Sequence, residues 1–191
     1  MKQISLICFR VYLEVYVVKN PTCFSRWSVR SDWHLNHKNI IRYSSRPFDN
    51  LEQMKYTMLN NINYTVSKND ELFVLGDLTF GNKDGLLDFI KSINCQVFII
   101  AGNHDANNMC NFLRRNGIQV LPNGRFSFSD GGYEFELSHI PVDSDKFNIH
   151  GHVHTVGFQT ITSPKHYDCG VDNNNFKPIS LGDIKQIINT Y

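Results

Sequence analysis

Seven side chains of metal-ligand type stand at expected strand ends in this chain: Asp32, His34, Asp77, Asn103, His139, His152 and His154. Imidazole nitrogen combined with carboxylate and amide oxygen suits borderline divalent cations such as Mn²⁺, Fe²⁺, Co²⁺ or Zn²⁺. No cysteine joins the set, which argues against a closed structural zinc site. Side chains at i and i+2 of an extended segment point the same way, so Asp32 and His34 can grip one ion; the same spacing recurs at His152 and His154. Gly76 and Gly102 stand directly before Asp77 and Asn103, where a residue without Cβ lets the chain turn sharply out of a buried strand. Taken singly, each element is weak. A histidine at a strand end is more often a hydrogen-bonded structural residue, and Asp77 alone reads equally as a turn former. The weight lies on the set, because packing alone does not explain so many strand-to-loop junctions ending in ligand chemistry.

The elements that must position these residues are legible around them. Apolar runs at 72–75, 97–101, 133–137 and 147–149 are short, β-branched or aromatic, and end in turn residues, so they read as strands. Residues 50–66 place Leu51, Met54, Met58, Leu59 and Ile62 near helical spacing. Shorter helices are expected at 84–93 and 107–115, the latter stopped by Asn116-Gly117. A last helix spans 180–190, with Ser180 as N-cap and Asp183 in its first turn. Helices alternate with strands early and strands dominate later, which implies an α/β (α+β layered) domain of packed sheets with helices outside. Neither a repeat nor a linker divides the 191 residues, so 1–191 reads as a single domain. Residues 172–175 read as a polar turn.

Composition narrows the function classes. With 41% apolar and 19% charged residues and a net charge of +1, the chain has no global basic field of the kind that marks a nucleic-acid binder. Five cysteines, at 8, 23, 95, 110 and 169, include no C-x-x-C pair and read as reduced packing residues of a cytoplasmic protein. The apolar stretch 4–18 is interrupted by Arg10 and Glu14 and falls short of the ~20 residues that span a bilayer. It reads as a buried strand or hairpin rather than a membrane anchor.

The ordered blocks Asp32-x-His34, Gly76-Asp77, Gly102-Asn103-His104-Asp105, His139 and Gly151-His152-x-His154 resemble the calcineurin-like metallophosphoesterase family. Segments 37–41, Arg46-Pro47-Phe48 and 177–181 resemble its small phage and bacterial members. The resemblance implies two packed mixed β-sheets flanked by helices, holding two divalent ions: manganese first, with iron, zinc, cobalt or nickel as alternatives. Asp32, His34 and His154 would bind the first ion, and Asn103, His139 and His152 the second. Asp77 would bridge both. His104 would face substrate as the acid in attack by a metal-bridging hydroxide, with Asp105 orienting its imidazole. Phosphodiesters are favoured over phosphomonoesters; nucleotides and nucleic acid remain candidate substrates, with no membrane partner. The location would be cytoplasmic (the host cytoplasm for a phage protein), and the oligomeric state is open. A non-catalytic metal-binding scaffold is the alternative.

Family members usually begin almost at the strand carrying Asp-x-His, so residues 1–23 are an atypical N-terminal addition. The strand expected at 24–30 alternates Arg26, Ser28 and Arg30 with Trp27 and Val29, a pattern of a half-exposed strand. His37 and Arg46 are further substrate candidates, against a solvent-facing loop histidine and a fixed turn with a surface charge. Phe80, Lys83 and Arg125 are candidates for a pocket edge, although no aromatic-and-basic stacking platform stands out. His150 reads as a packed histidine, and His166 as structural or exposed.

Overall fold

A computed structural model describes residues 26–154, 161–163 and 165–190; the expectations for residues 1–23 lie outside them. Alternation along β2 (Glu71–Leu75) shows how the layers form. Leu72 and Val74 belong to a core that includes helix residues Met54, Met58, Ile62 and Leu86. Phe73 and Leu75 belong to a second core shared with Phe135, Leu137 and Ile149 of the other sheet. The strand is thus buried on both faces, as its unbroken apolar run requires. It lies centrally in a five-stranded sheet ordered β10–β1–β2–β3–β4, with β1 (Trp27–Arg30), β3 (Gln96–Ile100), β4 (Gln119–Val120) and β10 (Ile179–Ser180). Pairing is parallel except at β10.

The second sheet is ordered β5–β6–β7–β9–β8, from β5 (Arg125–Asp130), β6 (Tyr133–Ser138), β7 (Phe147–His150), β8 (Ile161–Ser163) and β9 (His166–Asp168). Here β6, β7 and β9 run parallel, and the outer strands antiparallel. Two mixed sheets flanked by helices are therefore the architecture. The β5–β6 hairpin turns on Gly131 and Gly132, at φ 59° and 86°, the two positive values that a tight two-residue turn demands.

Five α-helices occur among the described residues: α1 (Lys38–Tyr43), α2 (Leu51–Thr65), α3 (Lys83–Lys91), α4 (Asn107–Arg115) and α5 (Leu181–Ile188). Side chains of Asn50, Asn82 and Ser180 cap α2, α3 and α5 by accepting from Gln53, Gly85 and Asp183 N–H. These caps satisfy amides that helical bonding leaves free. No described helix is long and apolar enough to cross a membrane. Cys95, Cys110 and Cys169 are free thiols.

The described part of the first strand corrects the half-exposed expectation. All four residues of β1 are buried, because both faces of the strand are covered: Trp27 and Val29 pack into the core between the sheets, and Arg30 reaches the helix α2. Ser28 and Arg30 therefore go inside with Trp27 and Val29. Arg30 Nη1 donates to Met58 O of α2 at 3.5 Å, while its Nε and Nη2 have no hydrogen-bond partner among the described residues.

Candidate metal centre

Every parallel strand of the two sheets except β4 and β9 ends in a candidate ligand. β1 leads into Asp32 and His34, β2 into Asp77, β3 into Asn103, β6 into His139, and β7 into His152 and His154. Such strand ends are the usual place for ligands in layered folds. The loops behave as continuations of the ladder. Asp32 N–H donates to Gly76 O at 3.1 Å, His34 N–H to Asp77 O at 2.8 Å and Leu35 N–H to Leu78 O at 3.0 Å.

Two groups result, each able to hold an ion: Asp32, His34, Asp77 and His154, then Asp77, His139 and His152. Within each group the ligand atoms lie within 4.8 Å of one another, and Asp77 belongs to both. Its Oδ2 is 3.5 Å from His34 Nε2 and its Oδ1 is 3.3 Å from His139 Nε2. Asn103 Oδ1 lies 2.9 Å from His139 Nε2.

The donor chemistry fits cations. His139 Nδ1 lies 2.7 Å from Leu75 O, a carbonyl that can only accept, so Nδ1 carries the proton. In the neutral ring Nε2 then offers a lone pair toward the oxygens of Asp77 and Asn103, and acceptors facing acceptors call for a cation between them. His154 repeats the arrangement. Its Nδ1 donates to Asp172 Oδ2 at 2.9 Å, leaving Nε2 toward His34 Nε2 at 3.1 Å and Asp32 Oδ1 at 3.8 Å. A second acceptor fixing the far nitrogen is how metal-binding imidazoles are held.

The electrostatics reflect crowding of like groups. Burial pushes the Asp32 carboxyl up to about 6 against the pull of His154 and His139. Burial also takes His34 down to about 3, with Asp77 opposing. For Asp77 burial works upward, yet the hydrogen bond and charge of His139 and the His104 N–H bring it to about 2. Burial opposes protonation of His139 and His154, but Asp77 and Asp172 respectively hold each above the ordinary imidazole value.

Convergence is not achieved by strand alternation. Asp32, His34, Asp77, His152 and His154 all have positive φ, between 45° and 72°, a left-handed region that side chains with a Cβ seldom enter. Asp32 and His34 do reach one group, but left-handed backbone at each aims them rather than strand alternation, and His152 and His154 stand in different groups. The loops after β2 and β3 also touch closely. A Cβ on Gly76 would meet Gly102 Cα at 2.5 Å, so only glycine fits there.

Two other expectations change. Arg46 does not face substrate. It is buried, and its guanidinium donates to Asp172 (2.8 and 3.0 Å), Asp32 O (2.8 Å), Trp33 O (3.0 Å) and Met54 Sδ (3.4 Å), which uses all its N–H directions. Asp105 does not orient the His104 imidazole. Its carboxylate accepts backbone N–H groups of Asp77 (2.8 Å), Leu78 (3.0 Å) and Gly102 (2.9 Å), which ties the β2 and β3 loops together.

His104 is exposed at the rim, its ring 6.0 Å from that of His34 and its N–H donating to Asp77 Oδ1 at 3.2 Å. His37 is half-buried with its ring 5.8 Å from His34. His150 is buried and bonds Gly151 O at 2.9 Å; His166 is buried and bonds Asp143 at 3.1 Å. Sequence reasoning missed Asp172, which reads as a turn residue. Its only signal is that His154 needs a carboxylate somewhere. Burial works against its ionisation, but His154 and Arg46 hold it below the usual carboxylate range.

The chain is similar to an uncharacterized protein, MJ1445, of Methanocaldococcus jannaschii, at 32% identity over 169 residues, covering 83% of this chain and 88% of that one. In fold it is similar to the crystal structure of AQ665, a protein of unknown function from Aquifex aeolicus. The TM-score is 0.69 and the identity 23%, covering 85% of this chain and 98% of that chain. A novel archaeal phosphodiesterase aligns more loosely, at a TM-score of 0.44 and 14% identity over 75% of this chain and 81% of that chain. The family model of calcineurin-like phosphoesterases matches residues 29–183, which take in every candidate ligand, and the chain belongs to that family.

Proposed function

We propose that this protein hydrolyses phosphate esters, diesters ahead of monoesters, at a centre of two divalent ions with manganese as the first candidate. The observation that carries the reading is the pair of ligand groups sharing one carboxylate, Asp77, with the His104 imidazole exposed beside them. Asp32, His34 and His154 would hold one ion, and Asn103, His139 and His152 the other. Two ions so held supply a nucleophilic water near neutral pH and neutralise phosphoryl charge.

The chain's own residues do the rest. His104, whose imidazole makes no hydrogen bond among the described residues, is available to protonate the leaving oxygen. Asp105 keeps the Gly76 and Gly102 loops in register, and so sets where Asp77 and His104 stand. Asp172 holds His154 in the tautomer that presents Nε2. Three free thiols accord with a cytoplasmic location.

The test is hydrolysis of paired chromogenic diester and monoester substrates by metal-stripped protein, with and without Mn²⁺, alongside Asp77→Asn. Restored turnover that Asp77→Asn abolishes is expected, with the diester faster. Tight metal binding without turnover of either ester would instead support a non-catalytic scaffold.

A further inference from the structure

Beside the metal groups stands an aromatic surface that no step above uses. Phe80 is 63% exposed and Tyr43 62%. The His37 ring lies between them, stacked on Phe80 at 5.1 Å and 22°, and edge-on to Tyr43 at 6.2 Å. From His37 the next ring is His34, at 5.8 Å, inside the first ligand group. Arg42 lies over Tyr43 with Cζ 5.5 Å from the ring centre.

Phe80 is not exposed because its segment is loose. Its N–H donates to Leu35 O at 2.7 Å, and Leu35 and Thr79 form a parallel bridge. Thr79 Oγ1 donates to Leu35 O at 2.7 Å and in turn accepts from Asn36 Nδ2 at 3.0 Å. The backbone therefore presents the ring rigidly. His37 Nδ1 is buried and has no hydrogen-bond partner among the described residues, so packing rather than hydrogen bonding at that nitrogen holds its ring on Phe80. Burial first, and the His104 charge second, hold His37 below its ordinary value, so these two histidines are within electrostatic reach. A single exposed aromatic would mean little; a rigid ring pair one ring removed from the ligand atoms is a binding feature.

We propose that Phe80 and His37 form a stacking subsite for the nucleobase of a nucleotide substrate, so that the ester cleaved at the metal centre is a nucleoside phosphodiester. The inference rests on the hydrolytic reading above and names its substrate class. Phe80 is separated from the first ligand group by two ring separations, 5.1 Å to His37 and 5.8 Å from His37 to His34, the scale on which a nucleoside joins its base to its phosphate. Stacking needs only a π face, so the subsite tolerates any base, and Arg42 adds the cation that such platforms carry.

The experiment compares a thymidine dinucleotide with its doubly abasic analogue, the same sugar-phosphate diester without bases. Hydrolysis is followed by phosphorus NMR and binding by calorimetry, for the Mn²⁺-loaded protein, Phe80→Ala and Phe80→Trp. The wild type is expected to favour the base-bearing compound about 5- to 150-fold in kcat/KM and in affinity. Phe80→Ala is expected to collapse that ratio toward one, and Phe80→Trp to keep it. A wild-type ratio near one, or a ratio that survives Phe80→Ala, overturns the subsite. Base-preferring binding with no turnover would leave the subsite standing and overturn the hydrolytic reading, so the two failures are separable.

Discussion

Replacing Asp172 by asparagine tests whether the second sphere of the centre is organised as described. Its Oδ2 accepts from both His154 Nδ1 (2.9 Å) and Arg46 Nη2 (3.0 Å), while Oδ1 accepts from Arg46 Nε at 2.8 Å. An amide keeps the volume but has one acceptor oxygen. With that oxygen at the Oδ2 position, His154 keeps a neutral partner and Arg46 Nε meets a donor. The His154 ring then loses the negative charge that raises its basicity, and carboxylate partners of metal-binding imidazoles are typically worth about 10- to 100-fold in affinity. That corresponds to about 1.4–2.7 kcal/mol. Only the group containing His154 is affected, so titration of metal-stripped protein with Mn²⁺ in a calorimeter should show one binding event weakened and the other spared. The stricter control is the His154→Ala background, where Asp172→Asn should add only the smaller effect of the Arg46 mismatch, because most of its effect passes through that ring. Equal affinities for wild type and Asp172→Asn, or a full additive loss on top of His154→Ala, would refute the reasoning.

Further outcomes follow from the same geometry. His104→Ala should retain both metals by elemental analysis yet lose about 10²- to 10⁴-fold in kcat, the usual value of a positioned acid; undiminished turnover removes His104 from the chemistry. Metal affinity should fall as pH is lowered from 8 toward 6, because His139 and His154 are held above the ordinary imidazole value and Asp32 is pushed up to about 6. Protons then compete for ligand positions, and calorimetry in buffers of different ionisation enthalpy should show more protons released at the lower pH. Arg30→Met should raise the melting temperature, since burial drives Arg30 down to about 9 and two of its nitrogens lack partners. Swapping a poorly compensated buried charge for an apolar side chain is worth up to about 1–4 kcal/mol, and a lower melting temperature would show that Arg30 is better paired than its geometry indicates. Asp105→Ala should destabilise by about 2 kcal/mol or more in urea unfolding, because two buried N–H groups and a part-buried one lose their acceptor.

The candidate positions after β2, β3, β6 and β7 were legible because each follows a strand whose apolar run is itself legible, as with Phe73 and Leu75 before Asp77. The means of convergence was not. Positive φ at Asp32 and His34 leaves only a faint mark in residue types: aspartate and histidine enter that region more readily than most, but neither demands it as glycine does. The roles of Arg46 and Asp105 depended on contacts across 126 and 28 residues, Arg46 with Asp172 and Asp105 with Asp77 N–H. Local pattern carries no trace of pairings that distant. Likewise β1 looked half-exposed because what covers its polar face, with Ser28 and Arg30, is the helix layer, where Arg30 meets Met58 O across 28 residues. The β5 strand escaped an apolar-run reading because Phe126 and Phe128 alternate with polar residues, although the Gly131-Gly132 turn beside it was a usable signal.

Five left-handed side-chain-bearing residues within one site carry a substantial energetic cost. At about 1–3 kcal/mol each, they amount to a sizeable share of the 5–15 kcal/mol by which a domain is usually stable. Such strain persists only where the surroundings over-determine it. Here they do so in two ways. The ladder bonds of β1 and β2 continue past the strand ends through Asp32, His34 and Leu35, so the strained residues are held by the same hydrogen bonding that builds the sheet. Beyond the ladder, buried charged side chains clamp the loops by their backbones: Asp105 grips three N–H groups, and Arg46 grips the carbonyls of Asp32 and Trp33. Neither clamp depends on an ion. The loops that carry the candidate ligands are thus held by the apolar cores and by these two side chains, neither of which is itself a candidate ligand. A centre preorganised in this way can keep His104 and Phe80 at fixed positions relative to a bound phosphorus, which is what discrimination between ester substrates requires.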